Sequence, residues 1–473
     1  MGETFNNIKE KCKEIYNKIK ENEKVQKFVE YVKNHKVLTG FIIFGIILLI
    51  IIIVIAIKVL VAQFYYSESG YVPVKTDEPY RMALSVSPFT DKGIKEGYTY
   101  EYNNTQITTV EDLEQLYIDL GATEMYVRIA TKRSVTDEDI TDGEVDSNAN
   151  VHTFDQAIEL CKIAAKLNIT MNPEVMCAYT YMDMEKQQAP RFEEYPEIYK
   201  LQNSKDWTEL SLDEINVVLK AYGKFLATEI LKTGCTVKNW NLGNEANFGF
   251  AGVSLGLKTA VNKKLEGVSS FRRYILPVFN PGWLEKNIWR YNAKEFAAVR
   301  EGILEAYQDL GIDSTGVKFS THIATVVMTP GACARYFNCM KKNGYPIDTA
   351  GISFYPSAPS LYVKAMILFK KTVMEINKKS KLSVFIGEFS YPSGEMSGDF
   401  AGWNKKAGGY PHSEEGQAAI YKDVVNWGKT HGVIGIRYWA ADYENWGTMG
   451  LFKFENKHGK PKQALLDDEI HRQ

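Results

Sequence analysis

The stretch "KNWNLGNEANFG", Lys238 to Gly249, begins as a short apolar strand and ends by setting an amide and a carboxylate, Asn244 and Glu245, side by side. A glutamate at the tip of a surface strand would be a solvated charge. Here Gly243 precedes the pair and an aromatic-rich, weakly charged segment follows it, which reads as the wall of a lined cavity. Seven more segments read as short apolar strands: "RMALSV" from Arg81, "EMYVRIA" from Glu124, "ITMNPEV" from Ile169, "VKFSTHIA" from Val317, "TAGISFYP" from Thr349, "SVFIGEFS" from Ser383 and "IGIRYWA" from Ile434. A helical pattern fills each gap, from "TVEDLEQLYIDLGA" through "SLDEINVVLKAYGKFLATEILK" to "SEEGQAAIYKDVVNWGKTHG", several opening on Ser or Thr near an acid and closing on Gly.

Strict strand–helix alternation implies a parallel sheet, and eight repeats fit a closed (β/α)8 TIM barrel in the α/β class. A doubly wound open sheet would want a glycine-rich phosphate turn after its first strand, and "SVSPFTDKG" is not one. The surplus over the ~250 residues typical of such barrels has an address. Ala246 to Glu285 follows the fourth strand and Phe389 to Ser413 the seventh, both on the face where barrel enzymes build their clefts.

On that face the strands end in Arg128 (second), Asn244 and Glu245 (fourth), His322 (fifth), Tyr355 (sixth), Glu388 (seventh) and Trp439 (eighth). The fourth and seventh strands oppose each other across a barrel mouth, which brings Glu245 towards Glu388. Two opposed carboxylates are what glycoside hydrolysis needs: one protonates the leaving oxygen while the other, ionised, attacks the anomeric carbon. Arg128 and Tyr355 would hold the nucleophile ionised, and Trp439 would floor the sugar. Trp283 and Trp403 in the insertions and Trp446 after the eighth strand are candidates for outlying sugar subsites by stacking.

Ahead of the barrel, Val37 to Ile57, "VLTGFIIFGIILLIIIIVIAI", carries no charge and is long enough as a helix to span ~30 Å of hydrocarbon. It exceeds a signal-peptide apolar region, and no small-residue cleavage pattern follows. The expected organisation is a Lys/Glu-rich helical tail over 1–36, a transmembrane anchor over 37–62, a linker over 63–79 and the catalytic barrel over 80–473. The Lys excess of the tail places the N-terminus in the cytoplasm and the barrel outside the plasma membrane, with the bilayer as partner through residues 37–57. Balanced charge, 56 basic against 58 acidic residues, excludes a nucleic-acid footprint. The six cysteines, Cys12 before the apolar run and five after it, have no framework spacing and read as small core residues. The seven histidines are scattered without ligand spacing, so neither a metal nor another cofactor is expected, and a metal-dependent amidohydrolase is disfavoured. Sequons stand at Asn103 and Asn168.

"WNLGNE", "DTAGISFYPS", "IGEFSYP" and "YPHSEEGQAAIYKDVV" resemble the corresponding blocks of glycoside hydrolase family 53, the arabinogalactan endo-β-1,4-galactanases of clan A, from ~80 to ~470 of the chain. The resemblance implies Glu245 as acid/base, Glu388 as nucleophile, Asn244 as partner of a sugar hydroxyl, and Arg128, His322, Tyr355 and Trp439 as the supporting shell. It implies a retaining endo-galactanase acting on a polysaccharide or its oligosaccharides. After the third strand the family's His-containing block is replaced by "MNPEVMCAYTYMD", with Asn172 and Glu174, and after the eighth the chain reads "YWAADYENW". Both regions line the cleft, so two alternatives stand: another clan A β-glycanase, such as a β-mannanase or β-glucanase, and a non-catalytic carbohydrate-binding barrel.

Overall fold

The computed structural model describes residues 22–135, 152–269, 271–360 and 364–472. The chain divides into two compact units, Met1–Val61 and Ala62–Gln473. In the first, helix Glu23–Asn34 is capped by Asn22, whose side chain accepts from the Lys24 amide, and the apolar helix Lys36–Phe64 follows. The stretch Val37–Lys58 is long and apolar enough to cross a membrane, and its side chains are exposed rather than packed. The expected tail helix before residue 22, with Cys12, lies outside the described residues.

The second unit is a nearly closed barrel of eight parallel strands: β1 Arg81–Ala83, β2 Glu124–Ile129, β3 Thr170–Val175, β4 Asn239–Leu242, β5 Lys318–Ala324, β6 Thr349–Phe354, β7 Ser383–Phe389 and β8 Val433–Tyr438. They pair in the order β1-β8-β7-β6-β5-β4-β3-β2. Between β1 and β2 the seam is held by the Thr123 amide on the Met82 carbonyl (2.9 Å) and the Tyr126 amide on Ser85 Oγ (3.0 Å). A side-chain oxygen thus replaces a ladder carbonyl where β1 stops short of its expected end at Val86.

Thr109, Thr153, Ser211, Thr329 and Ser413 each accept an amide of the first helical turn after them. Such caps contribute ~1 kcal/mol each. The two longest barrel helices, Leu212–Lys232 and Arg290–Asp309, touch backbone to backbone: a Cβ on Gly302 would lie 1.9 Å from the Lys220 carbonyl oxygen. The cysteines Cys161, Cys177, Cys235, Cys333 and Cys339 are buried and free.

Two features depart from the expected layout. A second sheet forms from Thr99–Tyr102, Thr105–Ile107, Phe452–Glu455 and His458–Pro461. Its two hairpins turn on Asn103-Asn104 (φ 48° and 62°) and Asn456-Lys457 (φ 50° and 67°), the left-handed pairs that two-residue hairpins favour. The segment before the barrel is also no free tether. Tyr71 OH lies within donor reach of Asn377 Oδ1 (2.9 Å) and the His431 carbonyl (2.7 Å), which share its one proton, and the Val74 amide donates to Asn377 Oδ1 (3.0 Å). Trp427 Nε1 donates to Glu68 (3.1 Å). Asn377 lies in the last turn of helix Ala365–Ser380, which leads into β7, and His431 caps helix Glu414–Thr430, which leads into β8, so the segment docks at the end of the barrel opposite the strand C-termini.

Replacing Asn377 by Ala leaves Tyr71 OH and the Val74 amide without that acceptor. Thermal denaturation should show a loss of ~1–3 kcal/mol, and limited proteolysis should cut first between residues 65 and 79.

Candidate active site

Arg128 is the point where three strand ends meet. It is 2 % exposed, and its guanidinium donates to Glu174 Oε1 (2.7 Å), Asn244 Oδ1 (2.9 Å) and Glu388 Oε1 (2.5 Å). Register explains part of this, since Arg128 pairs with Glu174 across β2–β3 and Glu174 with Asn241 across β3–β4. Trp439, half-buried at the end of β8, lies 4.2 Å below the guanidinium carbon, a cation–π contact.

Glu388 is 5 % exposed and receives Arg128 on one oxygen and Tyr355 OH on the other, also at 2.5 Å. The β6–β7 ladder shifts register between Ile352 and Ser353, opposite Gly387, which re-aims Glu388 into the mouth. Burial alone would raise the Glu388 carboxyl. His322, the Arg128 charge and the Tyr355 hydroxyl outweigh it and bring the group down to about 2. His322 Nε2 stands 3.7 Å from Glu388, beyond hydrogen-bond reach, so the direct contacts that hold the carboxylate are Arg128 and Tyr355. His322 is itself seated by Gly351, where a Cβ would lie 2.3 Å from its own.

The neighbours Asn244 and Glu245 share a side of the chain because the backbone has left the pleat. Gly243 (φ 78°) and Glu245 (φ 43°) are left-handed, a strained state for a glutamate. Neighbouring hydrogen bonds over-determine the turn: the Gly243 amide on the Val175 carbonyl (2.8 Å), Asn241 Nδ2 on the Gly243 carbonyl (3.0 Å) and Asn244 Nδ2 on the Met182 carbonyl (2.6 Å). Glu245 keeps partial exposure and accepts from the Met184 amide (3.2 Å). Burial, then the charges of Glu388 and Asp183, push its carboxyl up to about 8. The two glutamates are thus driven apart in proton affinity, as an acid and a nucleophile must be.

The sequence marks Glu174 only as part of a cleft-lining segment and not as the centre of this network. Glu174, fully buried, accepts from Arg128, Tyr126 OH (3.1 Å), Asn241 Nδ2 (2.8 Å) and Arg437 Nη1 (3.2 Å). The signal was a charge inside an apolar strand, in "TMNPEV" and again in "VIGIRY". Ligand atoms of Glu174, His322 and Glu388 lie within 4.8 Å of one another, a metal-type grouping that sequence spacing does not disclose. Arg128 donates to both carboxylates and already supplies the positive charge between them. Of the outlying tryptophans, Trp446 is buried with Nε1 on Ser390 Oγ (3.2 Å), a packing role. Trp403 is half-buried and meets the Tyr355 ring edge-on at 5.2 Å. Trp283 is partly buried and packs against the main core.

A (β/α)8 barrel with carboxylates of opposite proton affinity on its fourth and seventh strands has the form of a glycosidase. The family model of glycosyl hydrolase family 53 matches residues 94–469, and the chain belongs to that family. It is accordingly a glycoside hydrolase, with a polysaccharide as the substrate the family implies. The catalytic domain of the Ignisphaera aggregans family 53 enzyme superposes with a TM-score of 0.59 at 16 % identity, covering 85 % of this chain and 99 % of that one. A structure from a study of two fungal β-1,4-galactanases superposes at 0.59 and 15 % identity, covering 83 % and 100 %. No curated protein sequence matches the chain.

Because the Glu245 carboxyl is raised from 4.5 to about 8, the folded protein holds this proton more tightly than the unfolded chain. That contribution is lost as pH rises from 4.5 towards 8. Glu245→Gln should therefore gain in melting temperature relative to wild type across that window and level off above it. A difference independent of pH would mean that the carboxyl is not held neutral.

Proposed function

We propose that the protein is a retaining endo-β-1,4-galactanase, with Glu388 as nucleophile and Glu245 as acid/base. The observation that carries this reading is the asymmetric holding of the two carboxyls: Glu388 takes two charge-assisted contacts while Glu245 takes one amide and is otherwise disfavoured as an anion. In the first step Glu388 attacks the anomeric carbon as Glu245 hands its proton to the leaving oxygen. Glu245, now ionised, then takes a proton from water as the water displaces Glu388. Arg128 and Tyr355 keep Glu388 ionised before the attack and receive its charge back when it leaves. In this reading Asn244 bonds a sugar hydroxyl, and Trp439 forms the floor.

Galactan as substrate is supported by family membership and by the fold shared with the fungal β-1,4-galactanases. The long insertions after β4 and β7 favour an open groove and mid-chain cutting. We further propose that the helix containing Val37–Lys58 anchors the protein in the plasma membrane. The Lys excess of residues 1–36 then sets the tail in the cytoplasm and the barrel outside.

Proton NMR of early galactan hydrolysis should show the β-anomer first, before mutarotation. Initial α-anomer would refute double displacement, and cleavage of mannan instead of galactan would refute only the substrate. Glu245→Ala should lose ~10²–10⁴-fold on galactan but far less on 2,4-dinitrophenyl β-galactoside, whose leaving group needs no proton. In wild type kcat/KM on galactan should fall as pH rises through about 8, and that limb should vanish for the variant on the aryl glycoside.

A further inference from the structure

His152 sits where the chain returns to the barrel, one residue before the Thr153 cap of helix Phe154–Lys166. Its carbonyl accepts the Ala130 amide at 2.7 Å, two residues beyond Arg128, which pins the histidine to the C-terminal end of β2. The ring is fully buried, yet among the described residues neither Nδ1 nor Nε2 has a hydrogen-bond partner. Tyr181 lies parallel to it at 6.1 Å between centroids, and Phe89 meets it edge-on at 5.8 Å. Phe89 in turn meets Trp439 edge-on at 6.5 Å, so the imidazole belongs to the same aromatic wall as the residue under Arg128.

A packing role explains this poorly. A buried polar atom left unpaired is destabilising, and a phenylalanine would fill the same aromatic box without that loss. Burial, then the charge of Arg128, hold the ring neutral, with Glu388 opposing them more weakly. A neutral imidazole carries one N–H donor and one bare nitrogen acceptor. That pair complements a hydroxyl group, which is both acceptor and donor.

We propose that His152 is a specificity-determining residue that hydrogen-bonds a hydroxyl of an uncharged hexopyranose bound beside Glu388. The proposal rests on the glycosidase reading above. Tyr181, in the connection after β3, lies parallel to the His152 ring and within electrostatic reach of Asp183, Arg128, Glu388 and Glu245.

The test compares His152→Phe and His152→Asn with wild type in the full-length protein, reading melting temperature and kcat/KM on β-1,4-galactan, β-mannan and xylan. His152→Phe should melt higher by roughly 2 °C or more while losing roughly 10–100-fold in kcat/KM on the glycan that wild type cleaves best. His152→Asn keeps a donor and an acceptor and should recover part of that activity. A structural histidine would give the opposite signs, a lower melting temperature with activity per folded molecule unchanged, and that result overturns the proposal. A wild type that cleaves one glycan while His152→Phe cleaves it equally well overturns this inference alone. A wild type inert towards all three overturns the reading of the site and this inference with it.

Discussion

The guanidinium of Arg128 is the constraint on which the rest of the mouth depends. It joins β2 to β3 through Glu174, to the turn after β4 through Asn244, and to β7 through Glu388, while its face rests on Trp439 after β8. Removing a full positive charge from water is expensive, and the structure offsets it with two buried carboxylates. Arg437 ion-pairs with Glu174 as well, so two guanidiniums and two carboxylates form one network. Burial first, and then the charges of Glu388 and Asp183, disfavour a further anion at Glu245, whereas Arg128 and Tyr355 hold Glu388 ionised.

The barrel makes this network geometrically possible. Parallel pairing carries Arg128, Glu174 and Asn241 to one level on three adjacent strands. The register shift opposite Gly387 and the left-handed turn at Glu245 then take the two glutamates out of the regular pleat. Strain at Glu245 is tolerated because Asn241, Asn244 and Gly243 are each tied to neighbouring strands or loops. Meanwhile the segment before the barrel is fastened at the far end, on Asn377 and His431, leaving the strand C-termini clear of it.

The eight barrel strands were legible because each is a short apolar run, and their polar ends were legible because parallel packing leaves only the C-terminal ends free for chemistry. Arg128, Asn244, His322, Tyr355, Glu388 and Trp439 were found in this way, and the structure gathers them with Glu245 at one end of the barrel. Glu174 was read only as lining the cleft and Arg437 not at all, because they sit within apolar strands and their partners come from other strands. The hairpin at Asn103-Asn104 lay outside the eight expected strands, and the alternation of the "YTYEY" beside it shows why that segment pairs as a strand. His152 carries no sequence signature at all: what distinguishes it is two buried nitrogens without a partner among the described residues, a property of three-dimensional packing.

The central claim is that Arg128 and Tyr355 keep Glu388 ionised so that it can form a covalent bond to sugar. A 2-deoxy-2-fluoro β-1,4-galactobioside carrying a 2,4-dinitrophenyl leaving group would capture that bond, with intact-mass measurement and peptide mapping as the readout. The account expects one glycosyl unit per chain, attached at Glu388, with labelling slowed in Tyr355→Phe and nearly abolished in Arg128→Met. A label on Glu245 or elsewhere, or turnover of galactan by a protein that the reagent never labels, would contradict it.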